Sequence, residues 1–127
     1  MEQAQKNKEF IIRYINALSG VVKTRELIEG YVDDNNLIEH ILFFDSVLPR
    51  YELIIDEMTA EDNRVVVLAR VKGRHEGEFN GMPPTYKTVE VSAAVSYQIE
   101  NNKIVSHWLI ADQVSLLEQL GVSAVPA

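Results

Sequence analysis

The chain has 127 residues, 46% of them hydrophobic and 24% charged, which suits one domain (1–127) with a sizeable core and excludes the polar bias of a disordered chain. A net charge of -7 with no basic stripe argues against nucleic acid or anionic lipid as a partner, and the absence of cysteine excludes disulfides, thiolate catalysis and cysteine-based metal centres. No run approaches the roughly 20 apolar residues of a membrane helix, and the opening "MEQAQKNKEF" is too polar for a secretory signal, so a cytoplasmic location is expected.

From Gln3 to Leu18, apolar residues recur at Phe10, Ile11, Tyr14 and Leu18, the spacing of one helix face, and Gly20 suits its stop. Thr24 can cap a second helix that carries Leu27, Ile28, Tyr31 and Val32. The run Asp33-Asp34-Asn35-Asn36 is a break, followed by a third helical piece with Leu37, His40, Ile41 and Phe44 on one face and Pro49 at its end.

After Pro49 the period becomes alternating. "YELIIDEMTA" reads as a strand, "EDN" as a turn, and "RVVVLARVKGRHEGEF" as a long strand whose Val65, Val67, Ala69 and Val71 point one way. "NGMPPT" interrupts the pattern, "KTVEVSAAVSYQI" resumes it, and Asn101-Asn102 fits a two-residue hairpin turn into "KIVSHWLIAD". At the end, Ser115 and Glu118 have the spacing of a capping box, Gly121 fits a helix stop, and 122–127 reads as a loose tail. The expected class is α+β: three helical segments, a four-stranded antiparallel meander and a short last helix.

In the last strand, Ile104, Ser106, Trp108, Ile110 and Asp112 share one parity, and Val105, His107, Leu109 and Ala111 the other. Both sets are mainly apolar and helices can cover only one face, so the second is expected to be covered by another copy of the chain, giving a homodimer through sheet faces with His107 at the interface.

The stretch "GRHEGEFNGMPPTYKTVEVSAAVSYQIENNKIVSHWLIADQVSLLEQLGV" resembles the SnoaL-like polyketide cyclases, of the nuclear transport factor 2 superfamily. Their pattern runs Gly-Thr-His-x-Gly-x-Phe-x-Gly-x-Pro-Pro-Thr-Gly-Lys, then Gly-Lys-Ile-x-x-x-Trp-x-x-x-Asp, then Leu-Leu-x-Gln-Leu-Gly. The upstream "DDNNLIEHILFF" and "LPRYELIIDEMTAEDNRV" also fit. The resemblance implies a cone-shaped α+β barrel, a curved sheet wrapped around N-terminal helices and enclosing an apolar pocket. It also implies an intramolecular aldol ring closure without metal or cofactor, using an aspartate that aligns with Asp112. Tyr86 departs from the pattern, which usually has Gly there, and a narrower pocket mouth is expected.

The candidate site follows from parity and resemblance together. Asp112 would act as the base if an apolar wall formed with Trp108 and Ile110 disfavours its charged form; the alternative is that it caps the last helix. His75, on the parity of Val71 and beside Gly73 and Gly77, and His40, on the inward helix face, are candidates to stabilise an enolate oxygen. Trp108, Tyr31, Phe44, Tyr51, Tyr97 and Tyr14 are candidate pocket walls, with core packing as the competing account. The expected function is a cofactor-independent cyclase or isomerase acting on a small apolar carbonyl compound. The alternative is a pocket that binds a hydrophobic ligand without chemistry. Epoxide hydrolysis would need an Asp-Arg-Asp set, and Arg70 and Arg74 lie on the parity away from the pocket. The three histidines, His40, His75 and His107, are too far apart in sequence to suggest a metal site.

Overall fold

A computed structural model describes residues 2–121; the expected tail at 122–127 lies outside the described residues. The elements are α1 (Glu2–Leu18), α2 (Arg25–Glu29), α3 (Asn35–Val47), β1 (Glu52–Glu61), β2 (Arg64–Arg74), β3 (Thr88–Glu100), β4 (Lys103–Ala111) and α4 (Gln113–Gln119). The apolar stripe of α1 buries Phe10, Ile11, Tyr14, Ile15 and Leu18 against β1 and β2. Gly20 stops the chain from continuing as helix: its φ of +76° is a left-handed value, and no atom of the described residues within 4 Å would oppose a side chain there, so conformation decides the residue.

Caps set the helix starts. Thr24 Oγ1 accepts the Leu27 N–H at 3.1 Å, and Asp34 Oδ1 accepts those of Asn36 and Leu37 at 3.0 and 3.3 Å. Asp112 does the same for α4, accepting the Ser115 N–H at 3.0 Å. The expected capping box at Ser115 is thereby corrected: α4 begins at Gln113, and Ser115 is already inside its first turn. Gly121 follows with φ +88°, as a helix stop should.

The sheet is antiparallel in the order β1-β2-β3-β4 and is not closed, so β1 and β4 remain its edges. Asn101 and Asn102, at φ 52° and 58°, form a hairpin turn of the primed kind, which needs two left-handed residues. Two bulges interrupt the ladders. One leaves Asp56 without a partner in β1, and the other leaves Val105 without a partner in β4, where pairing passes from Ser106–Gln98 to Ile104–Ile99.

The bulge at Val105 inverts the expected parity of β4. An extra residue in one strand turns everything beyond it to the other face. Ile104 is fully buried, but past the bulge it is Leu109 and Ala111 that face the interior, while Trp108 and Ile110 are exposed on the outer face. The expected sheet-sheet interface of Val105, His107, Leu109 and Ala111 is therefore corrected, because Leu109 and Ala111 line the molecule's own interior. The uncovered apolar face carries Val66, Leu68, Trp108 and Ile110.

Candidate functional site

Between α3 and the inner face of the sheet lies a cavity of about 120 Å³. Its floor owes its depth to one rung of the sheet. Ala69 pairs with Ala93, and Ala93 with Ala111, so three adjacent strands present only methyl groups at the same level. The inward rungs on either side carry larger side chains, Val67–Val95–Leu109 and Val71–Val91, and all of these line the same space. From the helical side come Tyr14 of α1 and Leu37, His40, Ile41 and Phe44 of α3.

The polar groups around this apolar space are few. The imidazole of His40 packs against the Phe44 ring with centroids 4.8 Å apart. Removal from water pushes its pKa below 6.5, and the nearby His107 adds to the effect, so His40 is neutral near pH 7 and has a lone pair to offer. Burial acts oppositely on the phenols. Tyr14, Tyr51 and Tyr97 are all raised above their usual value by desolvation, and Tyr97 adds to the rise at Tyr14 and Tyr51. They stay protonated and remain hydrogen-bond donors. Tyr14 and Tyr97 meet edge to face at 5.8 Å. A neutral imidazole and protonated phenols lining one cavity can take a proton from a bound molecule and donate hydrogen bonds to the oxygen where charge then collects.

Just beyond this wall, His107 Nδ1 lies 2.6 Å from Asp34 Oδ2, both side chains being mostly buried. Among the described residues no group of three His, Asp or Glu side chains is arranged to hold a metal ion.

The residues singled out from the sequence divide. His40, Tyr14, Phe44, Tyr51 and Tyr97 line the cavity. Asp112 does not: it is exposed, caps α4, and borders a shallow concavity on the outer face with Asp56, Leu68 and Ile110. Its expected enclosure in an apolar hollow is corrected, and the cause is the bulge at Val105, which turns the Trp108–Ile110–Asp112 face outward. Trp108, expected as a pocket wall, is 62% exposed for the same reason. Tyr31 stands behind the cavity rather than in it, its ring tilted against those of Tyr14 and Phe10 with centroids 5.8 and 6.0 Å away.

His75 is fully buried but is not among the cavity's walls. It pins the segment between β2 and β3. The Thr85 N–H donates to its Nδ1 at 3.1 Å, which places the ring proton on Nε2, and that nitrogen has no partner among the described residues. Beside it Gly77 passes so close to the end of α3 that a Cβ would sit 1.8 Å from the Ser46 carbonyl oxygen. Tyr86, where the family pattern has Gly, keeps the left-handed φ of 61° but is exposed and lies over the Arg74 guanidinium, so it does not narrow the cavity.

Sequence reasoning missed the Asp34–His107 pair, the inward Leu109 and Ala111, and the alanine rung. The alanines were visible as small residues, but their alignment depends on strand register, which a single strand's pattern does not carry.

The family model of the SnoaL-like polyketide cyclases matches residues 37–120. No curated protein matches the chain in sequence. Among solved structures, AclR from Streptomyces galilaeus, described as a hydroxylase, superposes with a TM-score of 0.81 at 21% identity, covering 97% of this chain and 86% of its own. A protein from Jannaschia sp. CCS1 described as a SnoaL-like polyketide cyclase gives 0.81 at 20% identity over 99% and 97%. IdmH from Streptomyces antibioticus, described as a polyketide cyclase, gives 0.75 at 20% over 91% and 99%. These likenesses carry the fold, and the family match extends over most of the chain, from the start of α3 to the end of α4: the protein belongs to the SnoaL-like polyketide cyclase family.

Proposed function

We propose that the protein is a cofactor-independent cyclase whose cavity binds a small apolar carbonyl compound, with His40 as the general base. The observation that carries this reading is the neutral imidazole of His40 in the wall of a mostly apolar cavity that it shares with protonated tyrosines. Family membership supports the reaction class.

In the proposed step, the His40 lone pair takes a proton from the carbon next to the carbonyl. The C–H electron pair becomes the enolate double bond, and charge moves to oxygen, where a tyrosine O–H donates to it. The enolate carbon then attacks a second carbonyl of the same molecule, and the imidazolium returns its proton to the new alkoxide. Atoms balance without a further reagent. Asp112 is left outside this scheme, since its carboxylate is on the other side of the sheet.

A suitable probe is heptane-2,6-dione, whose aldol closure gives a six-membered ring. Deuterium incorporation at its α-carbons in D₂O, followed by NMR, is expected with the native chain and lost in His40→Gln. Binding of the dione with no exchange above buffer would instead assign a ligand-binding module without chemistry.

For the partner, we propose a second copy of the chain on the outer sheet face. Val66 and Leu68 of β2 and Trp108 and Ile110 of β4 are exposed on the outer face, on either side of Ser96 and Ala94 of β3, and pairing a face with itself covers it in both copies at once.

A further inference from the structure

We infer that the cavity's occupant is no larger than a single ring, and that the alanine rung Ala69–Ala93–Ala111 is its seat and sets that limit. The inference rests on the reading of this cavity as a carbonyl site and adds the size class of the substrate and the residues that determine it.

Volume comes first. Drug-sized ligands occupy pockets of roughly 300–1,000 Å³, and an apolar cavity on the order of 150 Å³ binds a single small ring such as benzene. The cavity here is about 120 Å³. It takes one six-membered ring or a dicarbonyl chain that closes into one, and a fused three-ring skeleton exceeds it.

Register explains where the space comes from. Inward rungs are about 7 Å apart along a strand. At the level of Ala69, Ala93 and Ala111 the side chains are single methyls, while one rung away in each direction they are Val67, Val95 and Leu109, or Val71 and Val91. The methyl rung thus has branched side chains on both sides along the strands, and His40 and Phe44 of α3 line the same space. A ring lying on the methyl floor has an imidazole and phenol hydroxyls within the same enclosure, the arrangement that α-proton removal from a cyclic or ring-closing ketone needs.

Ala93 is the central residue of the rung, paired on both sides, so it is where added volume acts most directly. The test uses methyl and histidine-ring NMR of the native chain and of Ala93→Leu and Ala93→Val, titrated with cyclohexanone and with anthrone, a three-ring ketone. Cyclohexanone is expected to shift the Val67, Val95 and Leu109 methyl signals and the His40 ring, and anthrone to leave them in place. Ala93→Leu should abolish the cyclohexanone shifts with an unchanged or higher Tm. Ala93→Val, the milder change in case the leucine does not fold, should weaken binding at least tenfold. Anthrone shifting the same signals overturns the size limit and leaves the carbonyl site standing. Cyclohexanone binding that is indifferent to both Ala93 variants overturns the seat. Silence with both ketones overturns the carbonyl-site reading, and this inference with it.

Discussion

Asp34 and His107 are joined at 2.6 Å between Oδ2 and Nδ1, while the other oxygen of the same carboxylate caps α3. One side chain therefore ties the first turn of the helix that bears His40 to the strand that bears Leu109 and Ala111. Replacing it removes a cap and a hydrogen bond from a mostly buried partner together. Asp34→Ala is expected to cost about 2 kcal/mol, read as a lower urea midpoint with an unchanged slope. Asp34→Asn, which can still cap, should lose less.

Protonation of His40 opposes folding. Its pKa is lowered in the folded chain, first by desolvation and then by His107, so the unfolded chain binds the proton more tightly. In the window from about 6.5 down to the folded value, the unfolded state carries more protons, and stability falls as pH falls. Below that window the loss is complete; above 6.5 it is absent. The groups facing His40 in this account are His107, itself held by Asp34, and the neutral phenols of the cavity. Urea titrations of the native chain and His40→Gln across pH 5 to 8 should show a shallower acid-side decline in the variant.

Asp112 separates capping from chemistry. Asp112→Ala is expected to destabilise by about 1 kcal/mol through loss of the α4 cap, and Asp112→Asn, a good cap without charge, by much less. Neither should alter α-deuterium exchange of heptane-2,6-dione. Loss of exchange in a well-folded Asp112→Asn would return the base to that carboxylate and remove it from His40.

The outer face gives a hydrodynamic prediction. Trp108 and Leu68 are 62% and 42% exposed in the single chain. If a second copy covers them, light scattering after size exclusion should report twice the chain mass for the native protein and a monomer for Trp108→Glu or Leu68→Glu, with little change in far-UV circular dichroism. A native monomer at 100 µM would refute this partner.

Much of the architecture was legible because it is written locally. The stripe at Phe10, Tyr14 and Leu18, the caps at Thr24 and Gly121, and the alternation through β2 and β3 each depend on residues a few positions apart. Asn101-Asn102 likewise fixes its hairpin by its own backbone preference. The wall residues on α1 and α3 followed from helical spacing, which survives folding unchanged. Asp112 is another matter: the spacing of Ser115 and Glu118 points to Ser115 as the cap, yet Asp112 is the residue whose carboxylate reaches the orphan amide, because α4 starts directly after β4.

By itself, then, the amino-acid order determined the elements, their sequence and the α+β class, since these follow from short-range periodicity and turn chemistry. Only the tertiary structure decided which side of β4 faces inward. That choice turns on Val105, left unpaired where β3 and β4 slip by one residue. A slip is a property of two strands, so neither strand's pattern contains it, and it exchanges an expected aspartate and tryptophan for Leu109 and Ala111 in the cavity wall.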